Sequence, residues 1–156
     1  MGGLWRCPRC GQTFVSPRLP HSCDIVDLGA FFEGAERSLF DALLVVVESF
    51  GPVTVNATRS RVTFQVRMRF AAVERPRRDG LRGHLVLTRP VRSEAVERVE
   101  YLAPSYYLHR FRVRSEEDVE ALRELLREAY GVGEQRHVHD ASWPRVTEPP
   151  DWVARP

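Results

Sequence analysis

Three cysteines and one histidine carry the clearest chemistry in the chain. Cys7-Pro8-Arg9-Cys10-Gly11 is followed by His21-Ser22-Cys23, a C-x2-C-x10-H-x-C arrangement. Two residues between cysteines let a tight turn aim both thiolates at one ion. Pro8 pre-sets that turn, and Gly11 can take the positive φ needed to leave it. The turn's backbone N–H groups are then placed to donate to the sulfurs. Zinc takes four ligands tetrahedrally in closed structural sites, and three thiolates with one imidazole are an accepted set. Cys7, Cys10, His21 and Cys23 fill the set and leave no position for water, which points to structure rather than catalysis. The H-x-C half is less usual than C-x2-C, but residues two apart in an extended segment share a face. Two alternatives stand beside this reading: free thiols with a bystander histidine, or a different histidine as the fourth ligand. The odd number of cysteines argues against a disulfide framework. A segment this short has no core of its own, so Trp5, Phe14 and Val15 are expected beside a zinc ion that supplies much of its folding energy.

The second candidate is a block of charge. All 23 basic residues are arginine, and the formal net charge is +2. Residues 59–92 hold ten arginines against Glu74 and Asp79, a local balance of +8. Such a block attracts phosphates and other anions. Arg61, Arg67, Arg69, Arg77, Arg78 and Arg82 are the candidate anion or nucleic-acid contacts. The bland reading is that a lysine-free chain reflects a GC-rich genome, with arginine on ordinary solvated faces.

No catalytic constellation accompanies these two features. His84 falls on the basic face of a strand, and His109 sits between Tyr107 and Phe111 on an inner face. His137-Val138-His139-Asp140 has the spacing of a second metal site and equally of a solvated tail. Tyr106, Tyr107 and Arg110 could stack bases only if their rings were exposed. No serine lies in a nucleophile-elbow setting, and no phosphate-binding glycine loop is present.

The elements that must position these residues follow from periodicity. Leu39, Leu43, Val46, Val47 and Phe50 form one helical stripe over residues 35–50, stopped by Gly51-Pro52. The period then becomes two. Val53 and Val55 begin it, and residues 62–70 continue it as a strand or as a tight hairpin near Arg67–Arg69. Asp79-Gly80 marks a turn, and strands are expected over 81–87, 96–102 and 106–114. Ser115-Glu116-Glu117-Asp118 reads as a capping box opening a helix to about Tyr130, with Gly131 and Gly133 as its stop. Helix, strands, helix predicts an α+β fold: an antiparallel sheet of about five strands with both helices on one face. The division expected is a zinc segment over residues 1–24, an α+β domain over 25–133, and an irregular tail over 134–156 pinned by Trp143 or Trp152.

The motif Trp5-Arg6-Cys7-Pro8-Arg9-Cys10-Gly11 with His21-Ser22-Cys23 resembles the start of bacterial proteins carrying the domain of unknown function numbered 5655. Phe40-Asp41-Ala42-Leu43-Leu44, Phe50-Gly51-Pro52-Val53, Phe70–Pro76, Leu81–Leu87 and Glu124–Tyr130 are similar to that domain's core. The resemblance implies the zinc site, the helix–sheet–helix order and a bacterial source. It brings no catalytic residues.

The functional expectation is a zinc-containing binding protein whose arginine-rich sheet face holds nucleic acid or an acidic protein. Alternatives are an enzyme or small-ligand protein with a pocket between sheet and helices or beside the zinc segment, and an assembly protein dimerising through a sheet edge. No apolar run approaches the roughly 20 residues of a membrane span, and no secretory leader is visible, so a cytoplasmic location is expected.

Overall fold

The computed structural model describes residues 2–76 and 80–156; Arg77 and Arg78 lie outside the described residues. The chain opens with a small hairpin, β1 (Trp5–Arg6) and β2 (Thr13–Phe14), in which Trp5 faces Phe14. A short 3-10 turn at Leu28–Ala30 precedes helix α1 (Gly34–Glu48). Six strands follow: β3 (Thr54–Ala57), β4 (Arg61–Gln65), β5 (Arg69–Glu74), β6 (Leu81–Leu87), β7 (Arg98–Ala103) and β8 (Tyr106–Val113). Then come α2 (Glu116–Ala121), α3 (Arg123–Gly133) and α4 (Arg136–His139).

The large sheet is antiparallel, in the order β3-β4-β5-β6-β8-β7. Its sixth strand arises because the alternating run 62–70 folds back on itself. Phe64 pairs with Ala71, while Gln65 pairs with Arg69, so Phe70 is bulged out of register. The hairpin tip is anchored from outside: the backbone N–H groups of Arg67 and Met68 both donate to the Gly133 carbonyl, each at 2.9 Å.

Alternation then divides each strand. Leu81, Leu85 and Leu87 on β6, with Phe111 and Val113 on β8, face the helices. They meet Leu39, Phe40, Leu43 and Val47 of α1, and Val119, Leu122 and Leu126 of the C-terminal helices, in one core. Phe31 and Phe32 from the segment ahead of α1 close it, with Phe32 stacked on Phe40 at 4.6 Å. All three long helical stretches therefore cover one face, as expected.

The second helical region departs from expectation in two ways. It breaks at Leu122, and it runs through Gly131 to Gly133 instead of stopping before them. Close approach, not helix termination, explains these glycines. A Cβ at Gly133 would lie 2.6 Å from the Phe70 ring, and one at Gly131 would collide with Trp143. The N-terminal cap forms as read, with Ser115 Oγ accepting from the Asp118 N–H at 3.2 Å.

Each edge of the large sheet is met at one point by another part of the chain. Ile25 bridges Thr58 beside β3, and the Val26 N–H donates to the Ala57 carbonyl. At the other edge Ala154 lies parallel to β7, donating to Val99 and accepting from Tyr101. The segment after α3 also packs through Trp143, whose indole N–H donates to Thr88 Oγ1 at 3.0 Å, and through buried Val153. Trp152 stays more exposed beneath the Arg92 guanidinium.

Candidate metal centre

The β1–β2 turn builds the first half of the site. The Gly11 N–H donates to the Cys7 carbonyl and the Cys7 N–H to the Gln12 carbonyl, both at 2.9 Å, and Gly11 takes φ 77°. The turn's amides also reach the sulfur. The Cys10 N–H, against the opposing effect of burial, holds the Cys7 thiol down at about 6. Burial pushes the Cys23 thiol up to about 11. The segment 16–23 returns the second half. The side-chain ligand atoms of Cys7, Cys10, His21 and Cys23 all lie within 4.8 Å of one another. Among the described residues this is the one group of three or more metal-ligating side chains so placed. The Cys7–Cys23 Sγ separation of 3.9 Å is far outside the roughly 2.05 Å of a disulfide.

The imidazole is oriented for ligation. His21 Nδ1 lies 3.4 Å from the Leu19 carbonyl, which fixes the proton there and turns Nε2 toward Cys23 Sγ, also at 3.4 Å. Phe14 packs against the ring at 4.3 Å, and Trp5 stands edge-on to it. The expected aromatic surround therefore forms.

A residue that spacing did not single out organises the site. Gln12, almost fully buried, donates from Nε2 to Cys10 Sγ at 3.2 Å and to the Ser22 carbonyl at 2.7 Å. Its Oε1 accepts from the Arg69 guanidinium. Arg69 also covers the Phe14 ring at 4.7 Å. Burial lowers the pKa of Arg69, and the Cys10 thiolate opposes that shift. A glutamine next to a C-x2-C motif is the only sequence signal for this bracket, and it is a weak one.

The arginines expected to bind anions fall into two groups. Arg67 and Arg69 join the N-terminal segment to the sheet. Arg67 Nε donates to Gln135 Oε1 and its NH2 group to the Gly2 carbonyl, both at 2.8 Å. Arg61 and Arg82 are exposed on the face away from the helices, and among the described residues they make no ion pair or side-chain hydrogen bond. Strand register sets Arg61 opposite Glu74. It sets Arg82 opposite Arg112. Elsewhere on this face Arg110 is paired with Glu100 at 2.8 Å and Glu74 at 3.3 Å, and Arg98 with Glu100 at 3.2 Å.

Among the described residues, no histidine outside the cluster joins a second group of three or more metal-ligating side chains. His84 lies on that outer face, with burial first and then Arg61 and Arg110 holding it down at about 4. His109 is fully buried; its Nε2 accepts from the Val91 N–H at 3.0 Å. His137 Nε2 lies 2.8 Å from Tyr106 Oη, whose half-buried ring stands edge-on to the imidazole, while Tyr107 is fully buried and presents no ring for stacking.

His109 yields a pH prediction. Burial depresses its folded value to about 4 from 6.5. The unfolded chain therefore binds the proton more readily, and stability is fully present above pH 6.5 and lost as pH falls toward 4. The contribution is on the order of 3 kcal/mol. In His109→Gln, whose amide oxygen can still accept from Val91, denaturant midpoints followed from pH 7 to 4 should fall less steeply than in the wild type. Parallel profiles would remove His109 from the acid response. The cluster ligands titrate in both proteins and cancel.

Fold and cluster together define a small α+β domain that carries a Cys3His metal-ligand group docked against its sheet. The chain belongs to the family of the domain of unknown function DUF5655, whose model matches residues 29–133. The cluster lies ahead of the matched residues. No curated protein and no solved structure matches the chain. Among the described residues no helix is long and apolar enough to cross a membrane.

Proposed function

We propose that the chain is a zinc-containing binding protein: the ion is structural, and the sheet face opposite the helices holds an anionic partner, foremost nucleic acid. The donor set supports zinc. Bonds of about 2.3 Å to sulfur and 2.0–2.1 Å to nitrogen give tetrahedral edges of about 3.8 Å between sulfurs and about 3.6 Å from sulfur to nitrogen. The Cys7–Cys23 and Cys23–His21 separations, 3.9 and 3.4 Å, lie close to those edges. Four protein ligands close the shell, so the ion would hold the N-terminal hairpin and supply no open Lewis-acid position. Thiols kept for metal fit a reducing, cytoplasmic setting in a bacterium.

The observation that carries the binding surface is the pair of exposed arginines, Arg61 and Arg82, on the face away from the helices. Contacts of this kind read phosphates rather than bases. Fluorescence anisotropy with labelled single- and double-stranded DNA and RNA at low and near-physiological salt tests it. Micromolar or tighter binding with a steep salt slope is expected. The double variant Arg61→Ala/Arg82→Ala should lower the log–log slope by about 2, one for each lost phosphate contact. Absence of binding at low salt, or an unchanged slope, would reduce the arginine block to genome composition. Arg67 and Arg69 are poor test positions, because their loss would also free the metal segment.

Size-exclusion and scattering measurements address assembly. Chain segments bridge the outer strands at one residue each, and a dimer through the remaining edge backbone would show as a doubled mass.

A further inference from the structure

The metal segment is seated on the same sheet face as Arg61. On β4, Val62 and Phe64 belong to the core under the helices, so Arg61, Thr63 and Gln65 alternate to the other side. Arg69 of β5 pairs with Gln65 and shares that side. Both meet the segment there. Gln65, 1% exposed, donates to the Thr13 carbonyl at 2.6 Å. Arg69 donates to Gln12 Oε1 and covers the Phe14 ring at 4.7 Å. Arg67, at the hairpin tip, donates to the Gly2 carbonyl at 2.8 Å. Arg61 lies about 13 Å further along β4.

The hold on these two arginines is weak in two respects. Every acceptor the N-terminal segment offers them is neutral, and among the described residues neither has a carboxylate partner. A phosphate oxygen makes a charge-assisted hydrogen bond roughly twice as strong as a neutral one. The packing is also incomplete. A cleft of about 230 Å³ separates Phe14, Val15, Leu19 and Pro20 of the segment from Met68 at the hairpin tip. Side chains lining a gap lose dispersion contacts on that side, so the ion, rather than packing, keeps the segment in place.

We propose, resting on the reading of this face as a nucleic-acid surface, that the metal ion gates it. With the ion bound, the segment clasps Arg67 and Arg69, and the face offers phosphates Arg61 and Arg82. When the ion leaves, the segment lets go. Arg69 comes free, and Arg67 keeps only Gln135 Oε1 at 2.8 Å. Both then become phosphate contacts, so the metal-free chain binds nucleic acid more tightly and with a steeper salt dependence.

The test compares the full chain zinc-loaded and zinc-stripped, with zinc content measured in each. Phenylglyoxal modifies accessible guanidinium groups, and its sites are mapped by mass spectrometry. Labelling of Arg67 and Arg69 should rise several-fold on stripping, while Arg61 and Arg82 label equally in both states. Anisotropy with labelled double-stranded DNA should give a log–log salt slope steeper by about 2 in the stripped protein. That increment should vanish in stripped Arg67→Ala/Arg69→Ala, where the segment is already released and its fastening is no longer at issue. Arg67→Lys/Arg69→Lys, which keeps both charges, should retain it. Unchanged labelling of Arg67 and Arg69 overturns the gate. So does an unchanged slope in a protein that binds DNA when loaded, and this leaves the surface reading intact. Binding in neither state overturns the surface reading and the gate with it. A chain that takes up no zinc overturns the metal site and the gate.

Discussion

Chelating the proposed metal is expected to unfold residues 5–23 while the six-stranded sheet remains. The N-terminal strands are two residues each, and their buried side chains are few: Cys7, Gln12 and Phe14. That surface cannot offset the roughly 1–2 kcal/mol of backbone entropy lost per ordered residue. Structural zinc supplies an apparent 10–16 kcal/mol at neutral pH in small sites of this kind, and here it would be the main source of order. The main core, by contrast, is assembled from α1, the sheet and the C-terminal helices, and its buried members begin at Phe31. In nitrogen–proton correlation spectra, chelation or Cys10→Ser should move the amides of 5–23 to random-coil positions. Amides of β5, β6 and β8 should stay protected. Global unfolding would make the segment part of the cooperative core, and an unchanged spectrum would remove the metal from the account altogether.

Gly83→Ala should be among the most damaging single-methyl changes in the chain, costing about 3–5 kcal/mol and lowering Tm by roughly 10 °C. Gly83 sits mid-strand on β6, between Val73 of β5 and Phe111 of β8. A Cβ there would collide with the Ala72 carbonyl and stand 2.7 Å from Phe111 Cζ. One neighbour is backbone in the middle of a sheet and the other a buried ring, so neither can move cheaply. Calorimetry of the purified variant settles it. A loss below about 1 kcal/mol would mean that the sheet relaxes around the methyl, at odds with close packing.

Sequence patterning revealed some parts of this molecule and hid others, for physical reasons. The ligand cluster was legible because metal chelation constrains spacing within one short stretch. The outer elements were legible because a core on one side of a sheet enforces period two in strands and 3.6 in helices. Two kinds of feature were hidden. Gly131 and Gly133 read as a helix stop, since local preference cannot see Trp143 or Phe70 arriving from elsewhere. The roles of Gln12, Arg67 and Arg69 were equally invisible, because they depend on the metal segment meeting the hairpin tip across more than fifty residues of chain. In sequence Arg67 and Arg69 look like the solvated face of a strand. In space they are fasteners.

The guard on the β7 edge has a consequence for the chain as it is made. Glu100 and its neighbours must wait for Ala154 before that edge is met. At 5–20 residues per second, the wait during synthesis is roughly 3–10 s. For that interval a nascent chain presents an open ladder of donors and acceptors, with Leu102 exposed alongside. The interval belongs to translation rate rather than to equilibrium stability. Slowing the ribosome between these two points would lengthen the exposure without altering a single contact in the finished protein.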